Sequence, residues 1–387
     1  MKRGITGRFE IRKVAGEEIR AFIPFPLPPD PSIDLYDSRQ QLLERATLAL
    51  GRLDSITLLL PDPDLFLYSY VRREAVLSSQ IEGTQSSLSD LMMFELKEVP
   101  GVPLDDVVEV SNYVAALEHG MNRLREGFPL SNRLIREMHA RLLSRGRGSE
   151  KSPGKFRSSQ NWIGGTRPGT ANYVPPPPAS VEDCMAHLER FIHDVSTPYP
   201  TLVKAALAHV QFETIHPFLD GNGRIGRLII AVILHERGVL SRPLLYLSLY
   251  FKKHRDEYYR LLDLVRLEGN WEAWLDFFLE GVEQTANGAV VTAQRLVEMF
   301  KEDEEKLKKL NRSVISAMGV FNIFRLRPLL TINEVCKGSG LSFPSASKAI
   351  NNLLKLGIVE EITGRQRGRI FSYGRYLTIL SEGTERL

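Results

Sequence analysis

The sequence has little cysteine, little net charge and no long hydrophobic run. Its 387 residues include two cysteines, Cys184 and Cys336, too few and too widely spaced to indicate a disulfide framework or a zinc site. The formal net charge of +3 does not by itself indicate a nucleic-acid or anionic-membrane partner. The longest apolar run, residues 228–234, is far shorter than a membrane span, and the first 22 residues lack the apolar core of a signal peptide. These absences predict a protein without a membrane segment, located in the cytoplasm.

The composition is that of a folded globular protein. Hydrophobic residues make up 43% of the chain and charged residues 25%, values that allow packed cores and do not indicate disorder. A chain of this length is expected to form two or three domains.

Helical spacing of apolar residues extends over most of the chain and predicts a mainly α fold. Two segments depart from it. Residues 145–178 are rich in Gly, Pro, Asn and Ser, and two strand-like stretches there, 159–163 and 172–174, predict a β-hairpin or a structured loop. After residue 313 the order helix, turn, helix and hairpin predicts a winged helix-turn-helix. We therefore expect an N-terminal helical region (1–100), a helical core (101–300), a connector helix (301–315) and a winged-helix domain (316–387).

The most informative segment runs from His216 to Arg227 and reads HPFLDGNGRIGR. It predicts a loop that opens a helix, with glycines that let backbone amides converge. The positive N-terminal end of that helix is suited to phosphate. Arg224 and Arg227 lie three residues apart and therefore on one face of the helix. Two guanidinium groups at such a helix end suit a polyphosphate better than a single carboxylate.

The same segment contains a metal-binding carboxylate and a base. Asp220 offers the hard oxygen ligand that Mg²⁺ needs when it bridges phosphates. His216 is the only group there with an ordinary pKa near neutrality, so it is the natural general base. Taken one at a time, a His before Pro, a DGNG turn and arginines on a helix are usually structural. Their combination within twelve residues favours a functional site.

This string resembles the signature of the Fic family, HPF-x-D-G-N-G-R-x-x-R, at every fixed position. The resemblance implies a helical Fic core with a small β-hairpin flap. It also implies an adenylyltransferase that moves AMP from ATP, with Mg²⁺ as cofactor, onto a Ser, Thr or Tyr hydroxyl of a protein, which can include the enzyme itself. The reaction is an in-line attack on the α-phosphorus, with pyrophosphate as the leaving group, in which positioning and electrostatics supply most of the catalysis.

The resemblance also assigns roles to residues. His216 takes the proton of the target hydroxyl, and Asp220 holds Mg²⁺ against the α- and β-phosphates. Asn222 and the amides of the loop that contains Gly221 and Gly223 stabilise charge on the α-phosphate. Arg224 holds the β-phosphate and Arg227 the γ-phosphate.

Gly223 bears on the type of reaction. Doc kinases, which transfer the γ-phosphate, carry lysine at the corresponding position, so glycine favours AMP transfer. Transfer of UMP or phosphocholine, as in rare relatives, stays open.

A second string, Ser78-Ser79-Gln80-Ile81-Glu82-Gly83, is similar to the inhibitory motif [S/T]-x-x-x-E-[G/N] of Fic proteins that carry an N-terminal inhibitory helix. Its alternative interpretation is a helix end with a solvated glutamate. The resemblance implies that Glu82 pairs with Arg227 and blocks productive ATP binding, with Ser78 nearby. Removal of AMP, which this glutamate supports in some relatives, is left open.

Two further assignments follow from the family pattern. Residues 162–173 fall where the family carries a flap that aligns its target by strand addition, although an ordinary surface hairpin is the alternative. Tyr258 is a candidate for the adenine pocket, although a stripe of tyrosines is more often part of a core.

The C-terminal segment carries basic residues on its second helix and wing: Lys348, Lys355, Arg365, Arg367 and Arg369. They are placed to contact DNA phosphates, but winged helices also serve as dimerisation and protein-docking modules. The alternative function is therefore a DNA-binding regulator with a nucleotide-sensing Fic core. A homodimer is also expected in such relatives.

Overall fold

The computed structural model describes residues 3–59, 63–96, 104–197 and 199–385, and these residues form a mainly helical protein. The predicted boundary between residues 100 and 101 lies outside them. No helix among the described residues is long and apolar enough to cross a membrane.

The chain opens with a β-hairpin rather than with the helical region predicted for residues 1–100. Strands β1 (Gly7–Val14) and β2 (Glu17–Pro24) pair antiparallel from Gly7↔Pro24 to Val14↔Glu17. Ala15 and Gly16 both have positive φ at the turn, as a tight two-residue hairpin turn requires. The alternation of charged and apolar residues along β1 is the strand signal. Its period of two differs from the period of 3.6 in the helices that follow.

Three helices follow in the N-terminal region: α1 (Ser38–Leu59), α2 (Pro63–Ile81) and α3 (Leu88–Glu95). The end of α2 falls where the sequence predicts it, and Gly83 follows with φ +101°. Ser87 caps α3 by accepting a hydrogen bond from the amide of Asp90, whose carboxylate accepts one from the Ser87 amide. This capping box fixes the turn between α2 and α3.

The core consists of α4 (Leu104–Arg125), α5 (Asn132–Leu142), α6 (Pro178–His193), α7 (Thr201–Ile215) and α8 (Asn222–Glu236). Every residue of α7 from Leu202 to Ile215 is buried, and α8 packs directly against α7. Because α7 is surrounded on all sides, its sequence has no separate polar face, as expected for a buried helix. The pair α7–α8 therefore forms the centre of the molecule.

The segment between α5 and α6 is mostly irregular. The predicted hairpin is reduced to one bridge, Ile163↔Tyr173, around a 3₁₀ turn at Pro168–Thr170. The amide of Phe22 in β2 donates to the carbonyl of Val174 at 2.9 Å. The N-terminal hairpin thus supports the base of this loop.

The next part of the chain contains α9 (Ser248–Lys253), α10 (Arg255–Glu268) and α11 (Trp271–Lys308). Residues 301–315, predicted as a connector helix, comprise the end of α11, a 3₁₀ turn at Asn311–Ser313 and the start of α12 (Val314–Leu326). Asp303 and Leu307 in this stretch are fully buried. Asp303 accepts a hydrogen bond from the hydroxyl of Tyr373 at 2.5 Å, so the charged end of α11 packs against the residues that follow it.

Residues 314–385, here called the C-terminal module, continue with β3 (Leu329–Thr331), α13 (Ile332–Ser339), α14 (Phe343–Lys355), β4 (Glu360–Glu361), β5 (Ile370–Ser372) and α15 (Gly374–Ser381). The strands form one antiparallel sheet in the order β3-β5-β4. The two helices and the hairpin lie where the sequence predicts them. The added helix α15 packs against α2 and α11.

Candidate active site

The loop between α7 and α8 is built around two left-handed residues. His216 ends α7 with φ +48°, and Gly221 precedes α8 with φ +74°. The side chain of Asn222 closes the loop, because it accepts a hydrogen bond from the amide of Phe218 (2.8 Å) and donates one to the carbonyl of the same residue (2.9 Å). Asn222 is 2% exposed, so it shapes the loop from within. The N-terminus of α8 is thereby fixed at the floor of a cavity.

His216 lies on the wall of this cavity, whose volume is about 740 Å³ and whose other walls include Glu82, Gly223 and Arg227. Burial is the main cause that lowers the pKa of His216 to about 3, with further contributions from Arg157 and Arg266. The imidazole is therefore neutral at physiological pH. A neutral imidazole facing a cavity can accept a proton.

Two residues that sequence reasoning missed hold this loop in place. Arg157 is buried and donates from Nε to the carbonyl of His216 at 3.0 Å. His139 stacks on Phe218 with ring centroids 3.7 Å apart, and its Nε2 lies 3.0 Å from the carbonyl of Asp220. Its Nδ1 accepts the amide of Gly154, so Nε2 carries the proton, and burial lowers its pKa to about 4. An isolated Arg or His in another segment carries no sequence signal for such a role.

Arg224 is buried between two carboxylates. Its Nη2 donates to Oδ1 of Asp220 at 3.1 Å, and its Nη1 lies 2.8 Å from Oε1 of Glu109. The Nε and Nη1 groups of Arg224 nevertheless find no acceptor with hydrogen-bond geometry among the described residues. Burial raises the pKa of Glu109, although Arg224 offsets part of that effect. Glu109, on α4, is a third site residue that the sequence did not indicate.

Arg227 is held by the two residues of the predicted inhibitory motif. Its Nε donates to Oγ of Ser78 at 2.8 Å, and its Nη2 donates to the carbonyl of Ser78 (2.9 Å) and to Oε1 of Glu82 (2.8 Å). Burial works against the charge of Glu82, but Arg227 more than compensates, so the pKa of Glu82 lies below its ordinary value. In turn, Glu82 holds the pKa of Arg227 above its ordinary range despite burial. The sequence predicts this contact, and the structure brings the three residues together.

Gly223 lies directly beneath Glu82. A Cβ atom at this position would come within 2.2 Å of Oε1 of Glu82 and 3.1 Å of Nη1 of Arg227. Glycine is therefore the residue that allows the carboxylate of Glu82 to rest against the first turn of α8.

Tyr258 also lines the cavity. It is 1% exposed, and its hydroxyl lies 2.9 Å from Nε2 of the buried His209. Its neighbour Tyr259 lines the same cavity and is 37% exposed. The hydroxyl of Tyr258 is therefore engaged in the core, and the ring of Tyr259 is the more accessible of the two.

Asp220 is the candidate ligand for Mg²⁺. Among the described residues, no group of three or more His, Cys, Asp or Glu is placed to hold a metal ion. In nucleotide sites, Mg²⁺ takes one or two carboxylates, several waters and the phosphates of the substrate. Asp220 is partly exposed, and its Oδ1 accepts from the amide of Gly221 at 2.6 Å. The donor set of a single partly exposed carboxylate fits an ion that arrives together with a nucleotide.

Comparisons with known proteins agree on one family. Residues 40–122 match the model of the Fic/DOC family N-terminal region, and residues 129–234 match that of the Fic/DOC family. The chain is 30% identical over 189 residues to the protein adenylyltransferase Fic of Drosophila erecta, a match that covers 48% of this chain and 35% of that protein. It is 30% identical over 209 residues to the protein of the same name from Aedes aegypti, covering 53% and 39%. The chain thus spans little more than a third of these curated relatives.

Solved structures show the same fold. A Fic family protein from Desulfovibrio desulfuricans superposes with a TM-score of 0.58 at 20% identity, covering 89% of this chain and 98% of that one. The Fic-1 structure from C. elegans superposes with a TM-score of 0.51 at 23% identity, covering 67% and 72%. At these identities the likeness concerns the fold alone.

Proposed function

The chain belongs to the Fic/DOC family, whose N-terminal and Fic domains it carries, and we propose that it transfers AMP from ATP to a hydroxyl group of a protein. The observation that carries this proposal is the joint placement of a neutral His216 and two buried arginines around the N-terminus of α8. The curated relatives named protein adenylyltransferase support it over about half of the chain.

The phosphates of ATP bind at the N-terminus of α8. Nε of Arg224, which has no hydrogen-bond acceptor among the described residues, is a donor available to the β-phosphate, while Nη1 stays ion-paired with Glu109. Arg227 takes the γ-phosphate once Glu82 has left it. The absence of a side chain at Gly223 leaves room for both phosphates over the first turn of the helix.

The chemistry requires a base and stabilisation of charge. His216 accepts the proton of the target hydroxyl, whose oxygen forms a bond to the α-phosphorus while the bond to the leaving pyrophosphate breaks. The loop amides and the positive end of α8 stabilise the phosphate oxygens. Asp220 would hold Mg²⁺, and the ion would neutralise phosphate charge when bound.

The target protein approaches along the loop between α5 and α6. Trp162, Ile163 and Tyr173 line the active-site cavity, and the bridge Ile163↔Tyr173 gives this loop a short extended edge. An extended target segment can pair with such an edge. Modification of the chain itself is included, because a hydroxyl on a neighbouring copy can dock in the same way.

We further propose that the enzyme is autoinhibited. Glu82 occupies the same guanidinium that the γ-phosphate requires, and Ser78 also accepts hydrogen bonds from that guanidinium. ATP must therefore displace a carboxylate before it can bind in the reactive position.

Label transfer from α-labelled ATP in the presence of Mg²⁺ tests the function. We compare the wild type, Glu82→Gly and Glu82→Gly/His216→Ala, each with and without added cell proteins. Label on protein with Glu82→Gly that disappears in the double variant supports AMP transfer with His216 as the base. If no variant transfers label yet all bind ATP, another nucleotide donor or a nucleotide-sensing regulator becomes the better proposal. Loss of label from previously modified protein tests AMP removal.

A second candidate function is DNA binding by the C-terminal module as a winged helix. One face of α14 exposes Ser345, Lys348, Asn351 and Lys355, and the β4–β5 turn exposes Arg365 and Arg367. Fluorescence anisotropy of a labelled duplex with the full chain, measured at several salt concentrations, tests this proposal. Binding that weakens with salt and with Lys348→Ala/Arg367→Ala supports it, whereas no binding favours a protein-docking role. The homodimer and the cytoplasmic location stay predictions.

A further inference from the structure

The C-terminal module contacts α2 from its first turns to its last. The guanidinium of Arg327 lies 5.5 Å from the ring centroid of Tyr68, and the hydroxyl of Tyr376 lies 3.1 Å from Oγ of Ser69. Further along, Nη2 of Arg73 donates to the carbonyl of Glu382 at 2.6 Å. The helix that directly precedes Glu82 is therefore also a contact surface for a module that follows it by more than two hundred residues.

The last contact of this series falls inside the inhibitory motif. Gln80 is 3% exposed, and its Nε2 donates to the carbonyls of Ser86 (3.0 Å) and Thr384 (3.1 Å). Its Oε1 accepts from Nζ of Lys252 at 2.7 Å, and the same Nζ donates to the carbonyl of Glu385 at 2.5 Å. Residues 382–385, here called the tail, thus share a closed hydrogen-bond network with Gln80 and Lys252.

This network lies next to the contact that blocks the active site. Gln80 stands between Ser78 and Glu82, the two residues that hold Arg227. Its backbone carbonyl accepts the amide of Gly83 at 3.0 Å, which fixes the turn that ends α2. A shift of Gln80 would therefore move Glu82 relative to Arg227.

The tail has a buried contact with Gln80 and, at the surface, further polar contacts. Glu382 and Glu385 are exposed, and Thr384 is the buried residue among the four. Arg295 pairs with the carboxylate of Glu382 at 2.6 and 2.7 Å, with both side chains about half exposed. Such contacts open at far lower cost than an apolar core.

Beneath the tail, α2 is incompletely packed. A cavity of about 360 Å³ lies between α2, α9, α11 and the tail, and Tyr70, Arg73 and Leu77 of α2 line it together with Glu382 and Gly383. The tail therefore supplies contacts that no helix supplies on this side of α2. Its release would leave the second half of α2 with a void on one face.

We propose that the tail is a latch that keeps the end of α2, and hence Glu82, in the inhibitory position. A partner that engages the C-terminal module and pulls the tail away would relieve the inhibition without touching the active site. The inference rests on the proposed AMP transfer and its inhibition by Glu82. It also says where the inhibition by Glu82 is controlled, which is in the tail, more than three hundred residues further along the chain. The end of α2 is thus in equilibrium between a conformation held by the tail and a released one, and the tail favours the held conformation.

The test uses the full chain with Lys252→Met, which keeps the aliphatic stem and removes both hydrogen bonds of Nζ. The matched control is Lys301→Met, an exposed lysine on α11 that does not line the cavity beneath the tail. A second variant ends the chain at Ser381, so that the result does not depend on one buried substitution. Glu82→Gly serves as the fully released reference. Label transfer from α-labelled ATP and hydrogen exchange of the amides of residues 78–83 are measured on every protein.

We expect both latch variants to transfer label about tenfold faster than the wild type, the factor that the loss of one buried hydrogen bond produces, and to exchange amides 78–83 faster. Lys301→Met should match the wild type in both. The latch proposal is overturned if both latch variants label and exchange at the wild-type rate while Glu82→Gly labels strongly. The proposed function would then stand. If Glu82→Gly also fails to label, the proposed function fails. Hydrogen exchange then decides alone whether the tail holds α2.

Discussion

Oε1 of Glu82 and Nη2 of Arg227 lie 2.8 Å apart, although the two residues are 145 positions apart in the chain. The arginine is almost fully buried, whereas the glutamate side chain keeps 36% of its exposure and faces the cavity. The pair therefore has a fixed member on α8 and a member that can leave, at the end of α2. A carboxylate and a phosphate can compete for one guanidinium only if the guanidinium stays in place and the carboxylate can leave.

Removing the charge of Glu82 should strengthen ATP binding. We predict that Glu82→Gln binds ATP about tenfold more tightly than the wild type, since charge-assisted hydrogen bonds contribute about 1.5–3 kcal/mol and the partial exposure of Glu82 reduces that figure. Calorimetry in a His216→Ala background measures the affinity without turnover. Glu95→Gln, which removes a carboxylate paired with Arg72 near the end of α3, serves as the control. Equal affinities in the Glu82 variant and its parent would argue against the competition.

The pH profile should show no titration of His216 near its ordinary pKa. Burial, Arg157 and Arg266 lower the pKa of His216 to about 3, and Glu82 opposes them. In Glu82→Gly the opposing charge is gone, so the imidazole stays neutral across the accessible range. We predict that kcat/KM for ATP in this variant shows no inflection from His216 between about pH 5.5 and pH 8. The variant His139→Gln excludes His139 as the source of any inflection. An inflection near pH 6.5 that persists in this variant would contradict the buried environment of His216.

Glu109 should support nucleotide binding through Arg224. Its carboxylate lies 2.8 Å from Nη1 of Arg224, on the side opposite to Asp220. Without that charge, Arg224 is drawn toward Asp220, which Mg²⁺ also needs. We predict that Glu109→Gln in the Glu82→Gly background raises the KM for ATP by about tenfold, near the lower end of the roughly 1.5–3 kcal/mol that a hydrogen bond to a charged group contributes, with a smaller change in kcat.

The control for this prediction is Glu118→Gln, which removes an exposed carboxylate from the same helix. It should leave both constants unchanged. A Glu109 variant whose KM for ATP equals that of its parent would mean that Arg224 does not depend on this carboxylate.

The sequence predicts the parts of the site that lie close together in the chain. From His216 to Arg227 the loop, its glycines and the helix that follows are local, so residue types and spacing are sufficient. The end of α2 at Ile81 is also local, because Gly83 marks it. The contact of Glu82 with Arg227 came from the resemblance to a family, since no local pattern brings α2 to α8.

The parts that the sequence did not predict depend on packing between distant segments. Glu109, His139 and Arg157 act only through neighbours that the fold brings to them, and each is an ordinary helix or loop residue in the sequence. The N-terminal hairpin was missed for a different reason. Its alternation is local, but the two strands are held by pairing with each other and by the bond from Phe22 to Val174, a residue about 150 positions away.

Glu74 should make the stability of the protein depend on pH. Its carboxyl group is buried in α2, where it accepts hydrogen bonds from Ser248 and, at 3.2 Å, from the hydroxyl of Tyr113. Burial outweighs these bonds and the field of Arg227, and raises the pKa of Glu74 to about 7 from an ordinary value of 4.5. As the pH rises, the carboxyl group of Glu74 therefore stays protonated to a higher pH in the folded protein than in the unfolded chain. The stability from this group is therefore complete below pH 4.5, falls as the pH rises toward 7, and is constant above it.

The variant Glu74→Gln cannot lose this proton. We predict that the free energy of unfolding of Glu74→Gln minus that of the wild type increases from pH 4.5 to pH 7 and then stays level. The increase should be roughly 3 kcal/mol at most, since each pKa unit corresponds to about 1.4 kcal/mol. Other buried groups, such as Glu213 with its similarly raised pKa, contribute equally to both proteins and cancel in the difference. Urea unfolding at closely spaced pH values measures it. A difference that does not change between pH 4.5 and pH 7 would mean that Glu74 is already ionised in the folded protein, because hydration or a nearby cation then compensates its burial.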